Sequence, residues 1–306
     1  MLWPALGAAL PWTAGFRLLD RIARDRALYR QATSEARHGA ATIAPIDRDS
    51  AWDRRYRLTR LVDHCDMLLM NTRSQRWFRR FVDVAGVWPE KGPFIAMTFH
   101  WGAGLWALAD MHERGLAAHF VAARIDPNQF GHDWVAHRYA KWRNRTVERA
   151  GGAPIIYTGG ASAGIRSALS AGRVVVALYD VPASMTSSTL QTTVCGRPVR
   201  LPAGMANLAA QTRVPVVGFD MGIDYTTGRR KLRIERPFIA ANAQDFADRL
   251  AAAMTRLLHL DTAAWHFSGL APQFFAADPT IPASDPAVPG VGQTADKMPA
   301  TPPEIA

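Results

Sequence analysis

The sequence predicts an α/β fold, in which a mostly parallel sheet flanked by helices follows an N-terminal helical region. From Gly92 onward, short apolar runs typical of buried strands alternate with segments whose apolar residues recur at helical spacing. This alternation is typical of parallel sheets covered by helices. The chain has 306 residues and is 48% hydrophobic, which suffices for one large domain with a packed core.

The first ninety residues are predicted to be mainly helical and to associate with a membrane. The apolar stretch Leu2–Phe16 is interrupted by Pro4 and Pro11, so it is too short and too broken for a transmembrane helix. Trp3 and Trp12 flank this stretch, as interfacial anchors do. We therefore expect residues 1–90 to contact a membrane surface without crossing it.

An amphipathic basic helix is predicted next. Phe16, Leu19 and Ile22 share one helical face, and arginines occupy another face at positions 17, 21 and 24. Such a helix suits an anionic membrane surface. The alternative is a helix that packs on the protein's own core and turns its arginines toward solvent.

Residues 91–276 are predicted to form the α/β domain, and residues 277–306 a disordered, proline-rich tail. The predicted strands are PFIAMTFH, AAHFVAARI, APIIYT, RVVVALYD, VPVVGFDMGI and KLRIERPF. The predicted helices are GLWALADMHERG, HDWVAHRYAKWRNRTVERAGG, SAGIRSALSAG, AGMANLAAQTR and NAQDFADRLAAAMTRLLHL. The stretch VPASMTSSTLQTTVCGRPVRLP is predicted to be irregular, and RSQRWFRRFVDVAGVW, before the domain, to be helical.

The net charge of +10 is compatible with nucleic acid, an anionic membrane or an acidic substrate as partner. Aromatic residues alternate with arginines at Trp77, Phe78 and Phe81, but they also fit the apolar face of a helix. No nucleic-acid recognition motif is present, so no nucleic acid is expected as a partner. Cys65 and Cys195 stand alone, which indicates a reducing compartment.

His100 is the first candidate for catalysis. It follows a predicted strand and precedes a loop with Gly102 and Gly104, which leads into a helix. Ligands of open α/β sheets collect at the carboxyl ends of strands, and a histidine there can act as a general base on a hydroxyl. The alternative is a buried histidine bonded to a backbone carbonyl.

Two other motifs compete with His100. Gly160–Gly164 matches the G-x-S-x-G pattern of serine hydrolases, with Ser162 as nucleophile. Its partners would be sought among the later acids and histidines Asp220, Asp224, His259 and His266. Asp133 and His137, beside His132, have the i, i+4 spacing of half a metal site, but a clear third ligand is lacking, so no metal is expected.

Several segments, taken in order, resemble the late acyltransferases of lipid A biosynthesis, within the glycerolipid acyltransferase-like group. They are GPFIAMTFHWG, HFVAARI, HRYAKWRNRTVERAGG, SALSAGRVVVALYD and, most similar of all, VCGRPVRLPAGMANLAAQTRVPVV. The resemblance covers roughly residues 10–268. It implies transfer of a fatty acyl group from an acyl thioester to a hydroxyl of a lipid or glycolipid.

The resemblance also implies which residues act. His100 matches the family's base, but Leu105 stands where the family has an orienting acid, five positions later. Asp110 is too far around the predicted helix to replace that acid. Asp180 ends a later strand and is the candidate partner of His100 if the two strands are neighbours. The alternative is a catalytically degenerate or repurposed member of the same fold.

The resemblance further implies a binding site for a phosphorylated acceptor or donor. The matching residues are Gly102, Gly104, Arg124, Arg149 and Arg197, with Arg145 and Arg200 in the same segments. Arginine suits phosphate because its guanidinium forms paired hydrogen bonds. The implied co-substrate is acyl carrier protein or acyl-coenzyme A, without any other cofactor. The implied location is the cytoplasmic face of the bacterial inner membrane, as a peripheral or monotopic protein.

Overall fold

The computed structural model describes residues 2–46, 51–131 and 133–275. The tail predicted for residues 277–306 lies outside them. The helices are α1 Leu2–Ala9, α2 Trp12–Ala23, α3 Arg30–Ala41, α4 Ala51–Thr72, α5 Gln75–Arg79, α6 Leu105–Glu113, α7 Trp134–Gly151, α8 Ala161–Ser170, α9 Ala203–Thr212, α10 Ala243–Leu260 and α11 Ala271–Phe275. The strands are β1 Val82–Ala85, β2 Phe94–Thr98, β3 Ala118–Ala122, β4 Ile156–Tyr157, β5 Val174–Leu178, β6 Thr189–Val194, β7 Arg197–Pro202, β8 Val216–Ile223 and β9 Arg230–Ile234.

A seven-stranded, mostly parallel sheet organises the protein, in the order β1-β9-β8-β2-β5-β3-β4. Strands β8, β2, β5, β3 and β4 run in one direction, and β9 and β1 run in the other. The central strand β2 is buried along its whole length, and its residues Phe94–Met97 are all apolar rather than alternating with polar ones. The predicted α/β class, with its mostly parallel sheet flanked by helices, is confirmed.

Helices cover both faces of the sheet. One core contains residues of α1, α2, α4, α6 and α7 packed on one face of β2 and β5. The other contains residues of α8, α9 and α10 packed on the opposite face. Because alternate residues of a strand point to opposite faces, Phe94 and Ala96 belong to the first core, and Ile95 and Met97 to the second.

The N-terminal helices are part of this layered core. Trp12 is buried, and its indole donates to the carbonyl of Gly228 over 3.0 Å. Phe16 and Leu19 are buried too, whereas the arginines at positions 17, 21 and 24 are exposed. The apolar face of α2 therefore packs on the protein itself, and the prediction of Trp12 as an interfacial anchor is wrong.

Two local predictions are also wrong. The segment predicted as one helix around residues 73–88 is helical only at Gln75–Arg79, and Val82–Ala85 pairs with β9 as an edge strand. The stretch predicted to be irregular contains the antiparallel hairpin β6–β7. Its two-residue turn places Cys195 and Gly196 at positive φ, the backbone conformation that tight hairpin turns require.

Within the described residues, no helix combines the length and the apolar character needed to cross a lipid bilayer.

Candidate functional site

His100 and Asp180 meet at the carboxyl edge of the sheet. They follow the neighbouring parallel strands β2 and β5, whose last paired residues are Thr98 and Leu178. Each side chain thus comes two residues after the last pair, in matching register. The two strands are neighbours in the sheet, as the pairing of His100 with Asp180 requires.

The imidazole of His100 is bonded to a carboxylate. Its Nδ1 lies 2.9 Å from Oδ1 of Asp180, and the backbone N–H of His100 donates to both carboxylate oxygens at 2.9 and 3.0 Å. A third donor, the indole N–H of Trp265, reaches Oδ2 over 2.7 Å. Asp180 is fully buried and its oxygens accept all of these bonds, so Nδ1 of His100 is the donor and, in the neutral ring, Nε2 presents a lone pair.

Leu105 therefore does not leave His100 without an acid. Leu105 is a buried residue at the start of α6, and the carboxylate comes from the end of β5 instead. Asp110 lies elsewhere: its carboxylate accepts from the indole of Trp88 over 2.8 Å and pairs with Arg114.

A segment that follows α10, Thr262–Ser268, packs against the His100 loop. The backbone N–H of His266 donates to the carbonyl of His100 over 2.8 Å, and that of Gly102 donates to Ala264 over 2.9 Å. The ring of Phe267 stacks on the imidazole of His100, with 3.9 Å between the ring centroids. Backbone bonds and ring stacking therefore fix both the loop and the plane of the imidazole.

The two glycines after His100 have different roles. Gly102 has a φ of +65°, and a Cβ there would overlap the carbonyl oxygen of Met221. Position 102 thus requires glycine for two reasons: its φ is positive, and its Cα lies close to the backbone of β8. Gly104 has a φ of −73° and open space where a Cβ would lie. It leaves room beside the first turn of α6, where a substrate could approach.

A buried polar cluster lies behind this loop. Nε2 of His266 is 2.7 Å from the carbonyl oxygen of Gly102, and Arg60 donates to the carbonyl of His266 over 3.1 Å. Burial, with Arg60 and His100 nearby, lowers the pKa of His266 to about 4 against the attraction of Asp63. His266 is therefore neutral near pH 7 and donates to Gly102, so it serves the loop rather than a hydrolase triad.

Asp63 completes that cluster through an ion pair with Arg143 over 2.9 Å. Burial raises the pKa of Asp63, but Arg143, His266 and His64 together outweigh burial and bring it to about 2. The pair joins α4 to α7 beside the site. Sequence reasoning missed this cluster, because its members come from three distant segments.

Arg124 lies on the same edge as the pair. It follows β3, whose carboxyl end lies at the same end of the sheet as those of β2 and β5. Its exposed guanidinium packs over the ring of Tyr157, at 5.2 Å from the centroid.

Arg149 lies at the opposite edge, so its assignment to the substrate site is wrong. It belongs to the last turn of α7, next to Gly152, which bridges to Ala118 at the start of β3. Ala118 pairs with Val174 of β5, which pairs with Phe94 of β2. Phe94 lies six residues, or about 20 Å, before His100 along the strand direction. There Arg149 donates to the side chain of Asn71 on α4.

Arg197 is engaged in the fold rather than in the site. Its guanidinium donates to the carbonyl of Thr42 over 2.7 Å and to that of Phe275 over 3.3 Å, and it packs over the Phe275 ring. These bonds join hairpin β6–β7 to the ends of α3 and α11. Its assignment to substrate binding is therefore not supported.

Among the residues that the structure describes, Ser162 has none of the hydrolase partners that its motif requires. It is exposed in the first turn of α8, which follows edge strand β4. Strand β4 is three strand spacings, about 14 Å, away from β2. Asp220 is paired with Arg233 and Asp224 with Lys231. His259 is exposed near the end of α10.

The remaining candidates have structural roles. Asp133 caps α7 by accepting from the backbone of Ala136 over 2.9 Å, and His132 lies outside the described residues. No group of three potential metal ligands occurs in the part of the chain that the structure describes. Trp77 and Phe78 pack in an aromatic cluster with Trp12 and Trp106.

Comparison of the chain with protein-family models and with curated proteins found no match.

Proposed function

We propose that the protein is an acyltransferase of the lipid A type, which moves a fatty acyl group from a thioester to a hydroxyl of a lipid or glycolipid. The observation that carries the proposal is the bond of 2.9 Å between Nδ1 of His100 and Asp180 at the carboxyl edge of the sheet. The ordered resemblance of five segments supplies the reaction class.

The proposed chemistry is general-base catalysis by His100. The acceptor hydroxyl gives its proton to Nε2 while its oxygen attacks the thioester carbonyl, and Asp180 stabilises the resulting imidazolium. When the tetrahedral intermediate collapses, the C–S bond breaks and the proton passes from Nε2 to the leaving thiolate. Acyl carrier protein or coenzyme A is released as the free thiol.

The surroundings of the pair suit a lipid-linked anionic substrate. Arg124, exposed at the same edge, is a candidate for contacting phosphate. Exposed apolar side chains on α1 favour a peripheral or monotopic location at the cytoplasmic face of the inner membrane; they are Leu2, Trp3, Leu6 and the following Leu10. The alternative, a catalytically degenerate member of the fold, was suggested by Leu105 in the position of the acid. The contact of Asp180 with His100 favours a catalytic protein instead.

The test is acyl transfer by the purified protein from acyl-coenzyme A and from acyl carrier protein to lipid acceptors. His100→Ala is expected to abolish turnover, and Asp180→Asn to lower kcat on the order of 10³- to 10⁴-fold. Asp110→Asn is the matched control, because Asp110 also accepts from a tryptophan indole but lies away from His100. Turnover that survives His100→Ala, or labelling of Ser162 by a fluorophosphonate, would contradict the proposal.

A further inference from the structure

The carboxylate of Asp180 is held from two directions. One set of bonds comes from His100 itself, through its backbone N–H and Nδ1. The other comes from Trp265, whose indole N–H reaches Oδ2 over 2.7 Å. Trp265 is separated from Asp180 by 85 residues, so it is the donor that ties the carboxylate to a part of the fold other than the histidine loop.

Trp265 is itself tightly packed. It is 1% exposed, forms an antiparallel backbone bridge with Trp101, and packs edge-on against Phe274 at 5.3 Å. An indole packed in this way has little room to follow a carboxylate that turns about its Cβ–Cγ bond. The bond to Oδ2 therefore restricts the carboxylate to the orientation in which Oδ1 faces Nδ1 of His100.

We propose that Trp265 is a positioning residue: its N–H fixes the carboxylate of Asp180, and through it the Nδ1–H tautomer that leaves Nε2 of His100 free to accept a proton. The consequence for turnover rests on the proposed function, but the effect on the tautomer does not. Because an indole nitrogen only donates, Trp265 supplies this bond only while Asp180 presents an oxygen as acceptor.

The chain offers a matched control for the loss of one indole N–H. Trp101 is 4% exposed and bridges Trp265, but its Nε1 has no hydrogen-bond partner among the described residues. Trp265→Phe and Trp101→Phe therefore remove similar ring volume from the same region, and only the first removes a bond to Asp180.

The primary test is ¹⁵N NMR of histidine-labelled protein near pH 7.5, with the His100 signals assigned through their loss in His100→Gln. The wild type and Trp101→Phe are expected to show Nδ1 protonated and Nε2 unprotonated. Trp265→Phe is expected to show averaged shifts of both nitrogens, because the two tautomers exchange. His266, the other titratable ring beside His100, is expected to keep its signals in both variants.

A second variant guards against loss of folding. Benzothienylalanine at position 265 replaces the indole N–H by sulfur and keeps the bicyclic ring, so packing is retained while the donor is lost. It is expected to reproduce the averaged shifts of Trp265→Phe. In the acyl-transfer assay both variants are expected to lower kcat about ten- to a hundred-fold at unchanged KM, the range found when outer hydrogen-bond partners of metal-ligating histidines are removed.

The possible outcomes separate this proposal from the proposed function. A wild-type tautomer in the benzothienylalanine variant would overturn the role of Trp265, and so would equal effects of Trp101→Phe and Trp265→Phe. If the wild type transfers no acyl group but the tautomer changes as expected, the proposed function fails and the positioning role stands.

Discussion

His100 and Asp180 lie in the same register of two neighbouring parallel strands, each two residues beyond the last paired position. Their bond therefore depends on the alignment of β2 with β5 and not on the helix that follows His100. The loop that follows His100 can be tested apart from the chemistry.

The two glycines of that loop are expected to respond differently to alanine. Gly102→Ala adds a Cβ at positive φ against the carbonyl of Met221, so we expect a loss of about 2–4 kcal/mol in the free energy of unfolding. Gly104→Ala meets no atom and is expected to leave stability unchanged within about 1 kcal/mol. Urea denaturation measures both. Equal destabilisation by the two variants would show that the close approach to Met221 does not matter.

His266 is expected to make stability depend on pH. Its pKa is about 4 in the fold and ordinarily 6.5, so the unfolded chain takes up the proton first. The stabilisation that depends on neutral His266 is complete above pH 6.5. As the pH falls toward 4 the free energy of unfolding decreases by up to about 3 kcal/mol. His266→Gln removes this titration and keeps a donor for Gly102. Between pH 7.5 and 4.5 the free energy of unfolding of the wild type should therefore fall further than that of His266→Gln; parallel curves would contradict the prediction.

Arg124 and Arg149 form a matched pair of exposed arginines at opposite edges of the sheet. Arg124→Ala is expected to lower kcat/KM about ten- to a hundred-fold, the range for loss of one hydrogen bond to a charged group. Arg149→Ala is expected to leave kcat/KM within about twofold. Steady-state kinetics with a phosphorylated acceptor provide the measurement. A larger effect of Arg149→Ala would place the acceptor away from His100.

Substitutions of Trp3 and Trp12 are expected to affect different properties, membrane binding for Trp3 and stability for Trp12. Trp3→Ala is expected to weaken sedimentation with anionic vesicles without changing the melting temperature, because Trp3 is exposed on α1. Trp12→Ala is expected to cost about 3–5 kcal/mol of stability, because the buried ring packs under Arg230 and donates to Gly228. Vesicle binding by Trp3→Ala at the wild-type level would contradict membrane contact through α1.

The order of strands and helices from Gly92 onward could be predicted, because each segment has a clear apolar period. The hairpin β6–β7 was missed although its burial alternates, because TLQTTV and RPVRLP have only two aliphatic residues each beside threonine, arginine and proline. Strand β1 was predicted as helix because its pairing with β9 depends on residues almost 150 positions away. Local propensity carries no signal of such a partner.

The candidate site could be predicted in part. His100 and Asp180 were found because both end strand-like runs. Arg149 was misplaced because α7, 18 residues long, runs from the carboxyl edge of the sheet back to the amino edge. The family resemblance treats this whole helix as one segment at the site. The two ends of the helix, however, lie about 25 Å apart. Trp265 was not singled out as a site residue, because it belongs to a short turn after the last long helix.

Trp265 is the third hydrogen-bond donor to Asp180, and this has a consequence for synthesis on the ribosome. During translation His100 emerges first, Asp180 eighty residues later, and Trp265 after a further 85. Although the nascent sheet can pair β2 with β5 early, it lacks both the indole bond and the ring of Phe267 until α10 has left the exit tunnel. Truncated products that end before Thr262 would therefore carry the histidine and the aspartate without the segment that orients them.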